Sequence, residues 1–289
     1  MAIVLADSNA LRNPDLQGYL SASAEHIIAL SDLTLTEMLK KNALATARGS
    51  LRIVSLFPAQ TLVLRPTHEI LEERVTSAPD VSRLFDADAT DGVRALSQEL
   101  QAQPPPLSLA LRMAAMEREA AQRHALLTAE VAPMVDGLTD ASKDFRPEEI
   151  AQLRTGRNVA DTTRVKMMEL LKETVRDFIL TNQQPERRSP MTFAEAAKMF
   201  AFRYSLCVTI YYVAWVQSGR QTAQKLERRV NDVVDLQLAA MGTFFSGVIS
   251  NDQRLQLVSI NARKTLRDWG AYVGPEFRQA IATAPAKRP

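Results

Sequence analysis

The stretch that decides the fold is residues 3–11, IVLADSNAL. Its first four residues are apolar and favour a short buried strand. Asp7, Ser8 and Asn9 follow, and such residues commonly cap the N-terminus of a helix. The segment therefore predicts a strand, a tight turn and a helix, with an acidic side chain placed at the carboxyl end of the strand.

The same pattern recurs further along the chain. Residues 27–30 form a second apolar run, and a helix is predicted over residues 33–47 with its end near Gly49. Residues 52–56 are predicted as a third strand. Strands that alternate with helices favour parallel pairing and right-handed crossovers, so we expect an α/β layered fold with its functional end at the carboxyl ends of the strands.

The pattern changes between about residue 66 and about residue 230, where long segments with helical periodicity predominate and no strand is predicted. Three examples are residues 107–129, 162–180 and 193–216. Loops are expected at three proline-containing places in this region. These are residues 104–106, Pro147 and residues 183–190.

After this region, residues 228–241 are predicted to be helical, and residues 243–250 are predicted to return to the sheet. The parallel-sheet core is therefore expected to be discontinuous in sequence. We predict that residues 1–65 and 225–289 form this core and that residues 66–224 form a large all-α insertion.

Composition agrees with a globular protein, because 46% of residues are hydrophobic and 24% are charged. The single cysteine, Cys207, excludes a disulfide within the chain. The apolar stretch 204–216 is too short to cross a membrane, and no secretory signal is recognised at the start of the sequence. We expect a cytoplasmic protein without membrane contact, and the net charge of +2 slightly favours anionic partners.

Acidic residues occupy places that a layered α/β fold brings together. Asp7 follows the first strand, Asp252 follows the last predicted strand, and Glu37 lies early in the helix after the second strand. Asp232 and Asp235 share one face of the helix before the last strand. Carboxylates that converge without paired cations repel one another, and a divalent cation is the usual compensation. Ligation by oxygen alone suits Mg²⁺ or Mn²⁺.

In this arrangement the chain resembles the PIN-domain nucleases. The resemblance rests on residues 3–11, on residues 29–39 (ALSDLTLTEML), on residues 231–240 (NDVVDLQLAA) and on residues 247–252 (GVISND). It covers the two ends of the chain and leaves the predicted helical insertion unexplained. It implies a three-layer PIN-like α/β core.

The resemblance also implies roles for individual residues. Asp7, Glu37, Asp235 and Asp252 would be the catalytic, metal-binding carboxylates, and Ser250 would take the supporting hydroxyl position. Asp232 is an additional candidate metal ligand. The implied reaction is hydrolysis of a phosphodiester with one or two Mg²⁺ or Mn²⁺ ions, giving 5′-phosphate and 3′-hydroxyl ends. Within the family the substrate is more often RNA than DNA, so an endoribonuclease is the first hypothesis.

Candidate substrate contacts lie beside these carboxylates. Ser8, Asn9 and Ser250 are adjacent to the acidic positions. Arg228 and Arg229 follow Arg220 and Lys225 in a basic segment that could hold a phosphate backbone. A solvated helix face is the alternative interpretation of the basic segment.

Each acidic residue also has a simpler interpretation. Asp7 and Asp252 could only cap helices, Glu37 could be a solvated helix residue, and Asp232 and Asp235 could pair with nearby arginines.

Two functional alternatives accompany the first hypothesis. One is a catalytically inactive PIN-like scaffold whose insertion binds a protein partner or a second copy of the chain. The other is a DNA-directed nuclease. A toxin role is compatible with a ribonuclease, but nothing in the sequence indicates it.

Overall fold

The computed structural model describes residues 2–71, 73–104, 106–156, 158–182, 192–218 and 226–276. These residues form a mixed α/β structure around one mostly parallel sheet. The sheet has five described strands. They are β1 (Ala2–Ala6), β2 (His26–Leu30), β3 (Thr61–Leu64), β4 (Phe85–Asp86) and β5 (Val248–Ile249).

The order of strands across the sheet is β4-β3-β2-β1-β5. β1 pairs in parallel with both β2 and β5, and β2 pairs in parallel with β3. β4 is antiparallel to β3 at one edge. The last strand of the described chain thus lies directly beside the first, which confirms the predicted return to the sheet. The strand is limited to Val248–Ile249, and residues 243–246 form a turn before it.

Helices make up most of the remaining described chain. They are α1 (Pro14–Ala22), α2 (Asp32–Leu39), α3 (Ala43–Ser50), α4 (Arg52–Leu56), α5 (Ala87–Glu99), α6 (Leu107–Ala141), α7 (Pro147–Thr155), α8 (Asp161–Asn182), α9 (Phe193–Ala196), α10 (Phe200–Gln217), α11 (Leu226–Gly242) and α12 (Gln253–Asp268). The long helices predicted in the middle of the chain are confirmed, except that residues 193–216 divide into α9 and α10 at Met199, whose backbone is extended.

Helices cover both faces of the sheet. Alternate residues of β1 point to opposite sides, so that Val4 enters one apolar cluster and Leu5 enters another. The Val4 cluster includes residues of α1, α3 and α5, and the Leu5 cluster includes residues of α10, α11 and α12. Burial on both faces explains why β1 and β2 are almost continuously apolar. The arrangement is compatible with the predicted three-layer α/β fold.

The prediction of a strand at residues 52–56 is wrong, because this segment is helix α4. Its backbone continues the hydrogen bonding of α3, with Leu51 N–H donating to Ala47 O and Ser55 N–H to Leu51 O. A short apolar run does not by itself distinguish a strand from a buried helical turn. The third strand is instead β3, and Thr61 and Val63 pair with Ile28 and Leu30 of β2.

The helix predicted over residues 33–47 is interrupted. α2 ends at Leu39, and Asn42 adopts a left-handed conformation before α3 begins. Asparagine tolerates this conformation better than most residues. Glu117 of α6 accepts hydrogen bonds from the amides of Asn42 and Ala43, so a distant helix stabilises the break.

Three further predictions concern the middle of the chain. The expectation that it has no strand is wrong at Phe85–Asp86, which pairs with β3. Pro147 does not lie in the predicted loop but occupies the first turn of α7, where proline is favoured. The predicted loop at residues 183–190 lies outside the described residues. Among the described helices, none is both long and apolar enough to cross a membrane.

Candidate metal centre

The carboxyl ends of β1 and β5 bring Asp7 and Ser250 together. The two strands are parallel neighbours, and the Asp7 N–H donates to Ile249 O at 3.0 Å. The Ser250 hydroxyl donates to Asp7 Oδ2 at 2.7 Å. The structure therefore places Ser250 as a support for the Asp7 carboxylate.

Asp252 follows two residues after Ser250 and caps α12. Its Oδ1 atom accepts hydrogen bonds from Arg254 N–H at 2.7 Å and from Leu255 N–H at 3.1 Å. The Asp252 N–H donates to the Ser250 hydroxyl at 3.0 Å. Helix capping is thus a real role of this residue, and the shared contact with the Ser250 hydroxyl places the Asp252 backbone beside the Asp7 carboxylate.

Glu37 reaches the same edge from α2. The Ser8 hydroxyl donates to Glu37 Oε2 at 2.5 Å. Lys40 Nζ lies 3.6 Å from Glu37 Oε1, one helical turn further along α2. The Glu37 side chain is 20% exposed, so it is held by its neighbours and is not a freely solvated helix residue.

Asp235 on α11 joins these residues electrostatically. Its pKa is raised to about 8, first by burial and then by the negative charges of Asp7, Asp252, Glu37 and Asp232, in that order of effect. A carboxyl group interacts so strongly only with charges that are close to it. The Asp235 carboxyl is therefore close enough to the other acidic residues for their charges to act on it.

Burial also raises the pKa of Asp7. The hydrogen bond from Ser250 acts in the opposite direction, because it stabilises the charged form, and the nearby charge of Glu37 raises the pKa again. The balance of these effects leaves the pKa of Asp7 above its usual range, with burial as the main cause.

Asp232 has a different environment. Its Oδ2 atom accepts a hydrogen bond from the Tyr211 hydroxyl at 2.7 Å, and its Oδ1 atom lies 3.1 Å from an Arg254 guanidinium nitrogen. Both oxygens are thus engaged by neighbours from α10 and α12. Tyr211, Asp232, Asp235 and Arg254 line a small cleft with apolar residues of α11 and α12.

The predicted substrate contacts are distributed unevenly. Asn9 is exposed and fixes the loop after β5, because its Oδ1 atom accepts from Asn251 N–H and its Nδ2 atom lies 3.4 Å from the Ser250 hydroxyl. Arg229 is half-buried on α11. The side chain of Arg228 lies outside the described residues, as do Arg220 and Lys225.

Oxygen ligands from Asp7, Glu37, Asp235 and Asp252 are chemically suited to Mg²⁺ or Mn²⁺. The charges of four neighbouring carboxylates contribute, after burial, to the raised pKa of Asp235, and a bound cation would offset them. Within the described part of the chain, no three histidine, cysteine or carboxylate side chains are arranged closely enough to hold one ion in common. Asp7 and Glu37 are instead turned toward serine hydroxyls.

Three residues beside the centre were missed by sequence reasoning. Lys40 follows Glu37 by one helical turn, and this spacing is a signal that the sequence does contain. Tyr211 and Arg254 reach Asp232 from separate helices, and no local pattern indicates that contact.

Helix α6 adds a further feature, because it packs against both α2 and α11, the helices that carry Glu37 and Asp235. Its His124 ring lies 3.3 Å from Lys40 Nζ.

Comparison of the chain with protein-family models, with curated proteins and with solved structures gives no match.

Proposed function

We propose that this protein is a metal-dependent phosphodiester hydrolase with a PIN-like core, and that its substrate is RNA. The observation that carries the proposal is the arrangement of acidic residues at the carboxyl edge of the sheet. The Ser250 hydroxyl joins the Asp7 carboxylate to the Asp252 amide, and the Ser8 hydroxyl donates to Glu37. The charges of these residues also act on the nearby Asp235 carboxyl. Carboxylates without sufficient compensating cations suit a hard divalent metal, and such sites serve phosphoryl chemistry in many enzymes.

Asp7, Glu37, Asp235 and Asp252 would hold the ion, which is expected to be Mg²⁺ or Mn²⁺. A bound divalent cation supplies Lewis acidity, which activates water and stabilises negative charge on the phosphate. The Ser250 and Ser8 hydroxyls orient Asp7 and Glu37 by donating hydrogen bonds to them. Asp252 is oriented by the two backbone amides that it caps.

The first prediction tests the carboxylates directly. Asp7→Asn and Asp235→Asn should each reduce manganese-dependent cleavage of single-stranded RNA by about a hundredfold or more, because even the loss of an outer-shell partner of a metal costs about tenfold to a hundredfold. Cleavage would be measured with a labelled RNA on a denaturing gel. Asp268→Asn, an exposed aspartate at the end of α12, is the matched control and should retain full activity.

Parallel digests identify the substrate class. The expected result is cleavage of single-stranded RNA or transfer RNA with branched DNA left intact. Cleavage of branched DNA alone would replace the RNA substrate by a DNA substrate. Metal-dependent cleavage that survives both substitutions would contradict the assignment of the site, and no cleavage by the wild type would favour the inactive-scaffold alternative.

A further inference from the structure

A continuous series of contacts runs along the carboxyl edge of the sheet between two cations, Lys40 and Arg254. Lys40 faces Glu37, and Glu37 accepts from Ser8, which is the neighbour of Asp7 in the chain. On the other side, Ser250 joins Asp7 to the Asp252 amide, and Asp252 accepts from the Arg254 amide. The carboxylates of Glu37, Asp7 and Asp252 thus lie between the Lys40 side chain and the first turn of α12, from which the Arg254 guanidinium reaches Asp232.

Lys40 is held at one end of this edge. Its Nζ atom lies 3.6 Å from Glu37 Oε1 and 3.3 Å from His124 Nε2, and 31% of its side chain remains exposed. The contact with His124 fixes the ammonium group from the side of α6. A substrate that approaches the carboxylates therefore meets an accessible cation whose position is already set.

Arg254 occupies the other end. It lies in the first turn of α12, where a side chain is tilted back toward the helix N-terminus and hence toward Asp252. Its guanidinium contacts Asp232 and lies 5.9 Å from the centre of the Tyr211 ring. The side chain is 56% exposed, so it remains accessible from the solvent while it contacts Asp232.

Arg123 is a weaker candidate for the same role. Its guanidinium is 2.5 Å from Asp32 Oδ2, and Asp32 is a buried carboxylate that also accepts from Thr67. Removing Arg123 would leave a buried charge without its cation, so this arginine has a structural task. The partners of Lys40 and Arg254 are more exposed than Asp32.

We propose that Lys40 and Arg254 bind the phosphates on either side of the scissile phosphate in a single-stranded RNA. This inference takes its RNA substrate from the proposed function. It deepens that function by naming the side chains that contact the RNA phosphates on each side of the cleaved one. A polyanion approaching several carboxylates is repelled, and cations at both ends of the edge offset this repulsion where the neighbouring phosphates lie. A divalent ion held by Glu37 would compete with Lys40 for this carboxylate and would leave the ammonium group available to a phosphate.

The test measures the salt dependence of RNA affinity. Fluorescence anisotropy with a labelled single-stranded RNA would be recorded over a series of KCl concentrations. The buffer would contain Ca²⁺, a hard cation that binds carboxylate oxygens and neutralises their charge. Lys40→Gln and Arg254→Gln should each reduce the slope of log affinity against log salt by about 0.7, the value for one lost phosphate contact on a single strand. The double variant should lose about twice as much.

Two charge-matched controls lie close by in the sequence. Lys41 is exposed and adjacent to Lys40, and Arg267 forms an ion pair with Glu276 near the far end of α12. Lys41→Gln and Arg267→Gln should retain the wild-type slope. Thermal melting of all five variants, including the double variant, shows that a change in slope does not come from unfolding.

The outcomes separate this inference from the proposed function. If the wild type cleaves RNA in manganese but Lys40→Gln and Arg254→Gln keep the wild-type slope, the phosphate contacts are wrong and the nuclease stands. The wild type could instead bind RNA without cleaving it while the two variants show a smaller slope of log affinity against log salt. In that case the proposed phosphate contacts are supported and the proposed hydrolase function is wrong. A wild type with no salt-dependent affinity for RNA overturns the contacts.

Discussion

At the scale of the residue, Asp235 shows how a fold changes the chemistry of a common side chain. An aspartate in water has a pKa near 3.8, whereas burial and four neighbouring carboxylates raise the pKa of Asp235 to about 8. The folded protein without metal therefore retains a proton on Asp235 over a pH range in which the unfolded chain has released it. Folding takes up a proton across this range, so stability falls as pH rises from about 4 to about 8.

A prediction follows for the metal-free protein. In EDTA, the melting temperature of Asp235→Asn should exceed that of the wild type by a few degrees at pH 8, and the two should converge toward pH 4, because the amide carries no charge to be buried. Differential scanning fluorimetry over this pH range measures the effect. Asp268→Asn is the control, and an Asp235→Asn profile parallel to that of the wild type would contradict the raised pKa.

The residue scale also separates two aspartates that look equivalent in the sequence. Asp232 and Asp235 lie one turn apart on α11, yet Asp232 is engaged by Tyr211 and Arg254 whereas Asp235 faces the other carboxylates. Helical periodicity predicts that they share a face but does not indicate their partners. Only the positions of α10 and α12 determine which of the two is neutralised by neighbours.

At the scale of the element, α6 stabilises the connection between α2, which carries Glu37, and α3. Glu117 accepts hydrogen bonds from the amides of Asn42 and Ala43 at 3.1 and 3.0 Å, where the first turn of α3 begins. Amides in the first turn of a helix have no acceptor within the helix itself. A carboxylate supplied by another helix therefore stabilises the short connection between α2 and α3.

Loss of this cap should be measurable. Glu117→Ala should reduce the free energy of unfolding by about 1 kcal/mol, the usual effect of removing an N-terminal capping group. Urea denaturation followed by circular dichroism measures the change. Glu119→Ala on the same helix is exposed and should stay within about 0.5 kcal/mol of the wild type. Equal effects of the two substitutions would show that the cap contributes nothing.

At the scale of the whole molecule, the residues directly after α12 pack against the turn between α11 and β5. Arg263 is buried and donates to the carbonyl oxygens of Gly242, Phe245, Gly274 and Pro275. The turn that contains Gly242 and Phe245 leads directly into β5 and so to the site residues that follow it. The C-terminal segment therefore holds the turn that positions the last part of the candidate centre.

Gly274 lies very close to the backbone of the turn at Phe244 and Phe245. A Cβ atom at this position would overlap the carbonyl oxygen of Phe245, so Gly274→Ala should destabilise the protein by roughly 1–3 kcal/mol, as overpacked sites do. Gly18→Ala is the matched control, because Gly18 lies in α1 with open space around it and should gain about 0.5–1 kcal/mol. Chemical denaturation compares the two, and a neutral Gly274→Ala would show that the segment does not pack closely.

The sequence by itself determined the alternation of strands and helices at the start of the chain. It also determined that Asp7 and Asp252 follow strands, because local patterns place these acidic residues just after buried apolar runs. It did not determine that residues 52–56 are helical, that Asp232 is held by Tyr211 and Arg254, or that Asp235 has a pKa near 8. These properties depend on contacts between segments far apart in the chain. Burial and electrostatic energies follow distances in space, which only the tertiary structure decided.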